Sequence, residues 1–122
     1  MTTLPQSNLP VSPTIPLSSD VRAAYQNLYD TIRAELDDTM DLVAIEALNA
    51  IQPQVDDVLR KDDLYKLNQD TAVFTALRQQ ISDTNNSLKT LKAQIASTAS
   101  HFATAGGIIA AIDKVLTLVP GA

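Results

Sequence analysis

Apolar or small residues recur along this chain at helical spacing. Val21, Tyr25, Leu28, Ile32, Leu36, Thr39, Val43, Ala47 and Ala50 follow one another at steps of three or four. That is the period of one helix face, and the steps fit an eleven-residue pattern suited to a nearly straight helix. Ser18-Ser19-Asp20 supplies N-cap chemistry in front, and Pro53 lacks the N–H needed to continue. The pattern predicts a helix over 20–52. A second stripe, Met40, Leu42, Ile45, Leu48 and Ile51, joins the first in its later half. That half is expected to meet more than one neighbour.

Between residues 53 and 69 the period weakens. Val55, Val58, Leu59, Leu64, Tyr65 and Leu67 stand among the acid doublets Asp56-Asp57 and Asp62-Asp63. A connector of short helices is expected there. From Asp70 the pattern becomes a heptad repeat. Position a holds Phe74, Ile81, Leu88, Ile95, Phe102, Ile109 and Leu116, and position d holds Leu77, Thr84, Leu91, Thr98, Ala105, Ile112 and Val119. An unbroken register predicts one long helix over 70–119, packed in the manner of a coiled coil and about 70 Å long. Its weakest stretch is "SDTNNS" at 82–87, and Gly106-Gly107 marks a second place where it can bend. Residues 1–19 are different again. Pro5, Pro10, Pro13 and Pro16 occur without a single charge before Asp20, so an extended, proline-rich N-terminal arm is expected. The fold class is therefore all-α: an antiparallel helical hairpin or small helical bundle, with the arm in front.

Composition agrees with this. Hydrophobic residues make up 45% of the chain and aromatic ones only 4%, so the core is built from Leu, Ile, Val and Ala. Charge favours a hairpin. Asp20, Asp30, Glu35, Asp37, Asp38, Asp41 and Glu46 outnumber Arg22 and Arg33 in the first helix, whereas Arg78, Lys89 and Lys92 face only Asp83 over 71–100. Folding at the connector is expected to bring Arg78 near Glu46, and Lys89 and Lys92 near Asp30 to Asp38. The net charge of −5, with no basic stripe, argues against a nucleic-acid partner.

In such a hairpin the first helix ends level with Phe102. Beyond it Ile108, Ile109, Ile112, Val115, Leu116, Leu118 and Val119 would stand uncovered. Apolar surface left in water costs about 25 cal/mol per Å². A folded-back third helix, the N-terminal arm, a second subunit, another protein or a membrane would each cover it. Beside the seam, Ala96, Ala99, Ala103, Gly106 and Ala110 form a stripe of small residues that admits a close neighbour. The candidate interaction surface is thus Phe102, Ala103, Gly106, Gly107, Ile109, Ala110, Ile112, Leu116 and Val119.

Catalytic chemistry finds little support. His101 is the single histidine and no motif frames it. Adjacent carboxylates on a helix diverge, so the acid doublets do not make a metal site, and no Glu-x-x-His pair is present. With no cysteine, thiolate ligands and thiol nucleophiles are absent. No cofactor and no metal are expected. The expected function is a non-enzymatic interaction or assembly module that binds itself or another protein through the apolar C-terminal part of the long helix. Two other readings stay open: a membrane-active helical subunit of a pore-forming or secreted assembly, and a small acidic inhibitor or immunity protein that masks a basic partner. "MTTLPQSNLP" lacks the basic and apolar regions of a signal peptide, which points to the cytoplasm unless a leaderless export route operates.

Overall fold

A computed structural model describes residues 15–119 of the chain. The proline-rich stretch before Ile15, and Pro120-Gly121, lie outside the described residues. The described residues are all-helical: α1 (Ser19–Asp38), α2 (Leu42–Asn68), α3 (Thr71–Ser97) and α4 (Ala105–Leu118). Each helix packs against two others, in the ring α1–α2–α3–α4. Short connections make successive helices antiparallel, so this is a four-helix bundle.

The helix expected over 20–52 is interrupted. α1 ends at Thr39, whose backbone is extended, and Asp41 starts a new helix by accepting from the Val43 N–H at 2.9 Å. An aspartate in an N-cap satisfies a helix donor that would otherwise lose its partner, and this competes with simple continuation. The short-helix connector expected over 53–69 is instead the second half of α2. Pro53 lies inside that helix with its side chain exposed. The missing hydrogen bond therefore falls on the solvent side, where water can satisfy the freed carbonyl. α2 stops at Gln69, which takes the left-handed conformation (φ 51°) and donates its N–H to the Tyr65 carbonyl. Asp70 then caps α3 through the Ala72 N–H.

The single long helix expected over 70–119 also divides. Its first part is as the heptads predict: Leu77, Ile81, Thr84, Leu88, Leu91 and Ile95 are all buried. The stretch at 82–87 stays helical, with Thr84 and Asn85 on the inner side. The break comes later, between Thr98 and Thr104, around a 3-10 turn at Ala99–His101. The Ser97 and Thr98 hydroxyls both donate to the Gln94 carbonyl, which also keeps its backbone bond from the Thr98 N–H, so local side-chain bonds gather on the last turn of α3. The helical phase then slips by one residue. Ile108, Ala111, Ile112 and Val115 form the buried face of α4, while Ile109 and Leu116 are only half-buried.

α4 folds back against α1 and α3, and so covers the segment that a hairpin leaves open. Of the possible covers, the folded-back helix is the one found. Gly106 and Gly107 are not a hinge. They lie in the first turn of α4 with no backbone strain to relieve, and a Cβ on Gly106 would meet no atom within 4 Å. The anticipated charge pairing is also different. Lys92 pairs with Asp113 of α4 at 2.6 Å, and among the described residues no ion pair links Arg78 to Glu46 or Lys89 to Asp30–Asp38.

These packing facts set opposite expectations for two substitutions in α4. Gly106→Ala adds a methyl group in open space and removes chain entropy, so it raises unfolding free energy by about 0.5–1 kcal/mol. Ile112→Ala empties a fully buried position and lowers it by about 2–5 kcal/mol. Urea titration followed by circular dichroism measures both; a destabilising Gly106→Ala would show that the small residue is needed for packing within the bundle.

Candidate functional site

Two buried carboxylates fasten the ends of the bundle. At one end Glu35, 3% exposed, reaches from the last turns of α1 to the start of α4. Its Oε2 accepts from the Ala103 N–H at 2.8 Å, and its Oε1 accepts from the Thr104 N–H at 2.9 Å and the Thr104 hydroxyl at 2.6 Å. Thr104 stands at the N-cap of α4 yet makes no capping bond of its own. Glu35 instead holds the two residues that lead into α4 from another helix, and its negative charge meets the positive end of the α4 dipole. Nearby, His101 Nδ1 lies 2.8 Å from Asp41 Oδ2, joining the α3–α4 connection to the α1–α2 turn. That bond to His101 is the main cause that holds the Asp41 carboxyl below its usual range.

At the other end Asp62 is fully buried on α2. Its oxygens accept from the Leu17 N–H at 2.8 Å, from Arg22 at 2.8 Å and from Lys66 at 2.9 Å. Arg22 also grips Asp63, at 2.7 and 3.3 Å. The hydrogen bond to Asp63 is the first cause raising the Arg22 guanidinium above its ordinary value, and Arg22 in turn lowers the Asp63 carboxyl. Between the ends, the Tyr25 hydroxyl donates to Asn85 Oδ1 at 2.7 Å across the core, and burial pushes that phenol well above its ordinary range. Asn85 Nδ2 has no partner among the described residues.

These groups are all engaged in holding helices together. Among the described residues, no three His, Asp or Glu side chains converge to hold a metal ion. Two shallow grooves, of about 380 Å³ between α2 and α3 and about 370 Å³ between α1 and α4, open on the surface. Small side chains are among their lining residues, Ala47 and Ala50 in the first and Ala23 and Ala24 in the second. Among the described residues, no helix is long and apolar enough to cross a membrane.

The surface anticipated from sequence is divided by the fold. Phe102, Ile112 and Val119 are buried in the chain's own core. Ile109 and Leu116 pack partly against that core. Ala103, Gly106, Gly107 and Ala110 remain exposed, so what α4 offers to solvent is its small-residue side. The large apolar groups left outside lie elsewhere. Met40, on the α1–α2 turn, is 92% exposed and Leu42, the first residue of α2, 76%, beside the Glu35 and His101 braces. Leu67 and Leu64 are exposed near the end of α2. No protein-family model, curated protein or solved structure matches this chain.

Glu35 sits three residues after Ile32 and seven after Leu28, and Asp62 sits four after Val58. Both therefore fall on buried faces of their helices, a signal that a count of surface charges passes over. Met40 and Leu42 read as part of an apolar stripe only if the helix runs through them, and the extended backbone at Thr39 ends that phase.

Replacing Glu35 with Ala removes the partners of two backbone donors and costs about 2–4 kcal/mol. Amide hydrogen exchange should accelerate first at Ala103 and Thr104; unchanged protection there would show that the cap is not formed in solution. Acid should unfasten the other end. A lowered folded-state pKa at Asp63 contributes stability that is complete above its unfolded value and is lost as pH falls below about 4. Asp63→Asn should flatten the fall in stability over that acid range, measured by urea titration at successive pH values. An unchanged slope would remove Asp63 from the account.

Proposed function

We propose that this chain is a non-catalytic helical interaction module that binds a protein partner through groups left on the outside of the bundle. The observation that carries this reading is the exposure of Met40 and Leu42 on a turn that several hydrogen bonds hold in place. Single apolar residues on a surface are ordinary. Two large ones, side by side on a braced turn, form an anchor whose burial gains free energy without a large ordering cost. The outer side of α4, with Gly106 and Ala110 and with Ala103 just before it, is a second surface that admits a close neighbour.

Site-specific photo-crosslinking tests the reading. A photoreactive amino acid is placed in turn at Met40, Leu42 and Ala110, with Asn49 on the outer side of α2 as the reference. In the native host cell, positions 40 or 42 should give discrete adducts of defined mass that position 49 does not give. No discrete adduct from any of these positions would contradict an interaction module.

A further inference from the structure

The chain carries three adjacent aspartate pairs, and they are treated differently. Asp56 and Asp57 both bond Arg60. Asp62 and Asp63 both bond Arg22. Asp37 and Asp38 are exposed and take part in no ion pair among the described residues. They also stand in the last turn of α1, which holds no basic residue. A helix C-terminus is the negative end of its dipole and favours cations. Two aspartates placed there break a local rule with no ion pair to compensate among the described residues, which is where functional constraint is to be expected.

This pair lies directly before the exposed Met40 and Leu42. Glu46, one helical turn beyond Leu42 and also exposed, adds a further acid on that side of α2. Arg33 lies one turn before Asp37, and His101 is engaged with Asp41. The result is an apolar anchor with acids on both sides. A second copy docked tip to tip would set these acids against one another, and a nucleic acid would add phosphates to them. A partner that brings apolar and basic groups together satisfies both features.

We infer that the α1–α2 turn, with Met40 and Leu42 flanked by Asp37, Asp38 and Glu46, docks a basic amphipathic segment of another protein. This rests on the interaction reading above and names the surface and the chemistry of the partner. The apolar side of the segment covers Met40 and Leu42. Its lysines or arginines neutralise the aspartates and the exposed end of α1.

Binding of a synthetic leucine–lysine amphipathic helix to the full chain, followed by fluorescence anisotropy, tests it. The leucine–glutamate counterpart serves as the comparison. The lysine peptide should bind, and the glutamate peptide should not. Met40→Ser with Leu42→Ser, and separately Asp37→Asn with Asp38→Asn, should each weaken binding by about tenfold or more. Asp56→Asn with Asp57→Asn should change it by less than about twofold, since that pair lies away from the turn and already has Arg60. All these positions are on the surface, and circular dichroism confirms that the variants are folded. Equal losses from the Asp56/Asp57 variant, or none from the Met40/Leu42 variant, would mean diffuse charge attraction and overturn the inference, as would no binding by the unmodified protein. If crosslinks form at the turn while the lysine peptide ignores it, the basic partner is wrong and the interaction module stands. If the peptide docks at the turn but no cellular crosslinks form, the turn's chemistry stands and the cellular role fails.

Discussion

The fold turns on one carboxylate. Glu35 is buried where α1 ends and α4 begins, and three donors from Ala103 and Thr104 meet its two oxygens. Burying a carboxylate without such donors is expensive, and charge-assisted hydrogen bonds offset that cost at about 1.5–3 kcal/mol each. The two sides need one another. Without Glu35 the donors of Ala103 and Thr104, just before α4, lose their acceptor, and without α4 turned back the carboxylate has no donors. This mutual need holds α4 against α1, where Ile108, Ile112 and Val115 complete a core that a two-helix hairpin leaves open.

Asp62 plays the matching part at the opposite end. It ties the backbone before α1 to the second half of α2, and Arg22 and Lys66 share its charge. Tyr25 and Asn85 join α1 to α3 across the middle. Apolar packing of Leu, Ile and Val tolerates several relative placements of helices, whereas buried polar pairs at fixed positions specify one. The ends and the middle are pinned in this way. Exposed Met40 and Leu42 stand beside such braces, since Asp41 bonds His101 and Glu35 bonds the residues before α4.

Helical content and most of α3's inner face were legible from periodicity alone, because Ile81, Leu88 and Ile95 repeat at a spacing that only one helix face satisfies. The helix ends were not. Asp41 stands within an apolar period that continues on both sides, and the heptad letters run on past Thr98 although the chain does not. Periodicity records which face is apolar and is blind to hydrogen bonds that compete with the next helical turn. The same blindness moved the candidate surface. Once α4 folds back, Phe102, Ile112 and Val119 of the expected interface become core, and once α1 stops at Asp38, Met40 and Leu42 are turned outward. Pro53 misleads in the other direction, since a proline whose orphaned carbonyl faces water need not end a helix.

The heptad pattern by itself allows one continuous helix from Thr71 to Leu118, and the bundle requires that helix to be folded in two. A distance decides between them. The chain has no cysteine, so spin labels attach only at cysteines introduced at two exposed positions, Asn86 on α3 and Thr117 on α4. Thirty-one residues of unbroken helix would hold the labels about 46 Å apart. Adjacent antiparallel helices bring them within about 30 Å. Double electron–electron resonance should give a single distribution centred below 30 Å; a distribution near 46 Å would contradict the folded-back α4 and the capping role of Glu35 with it.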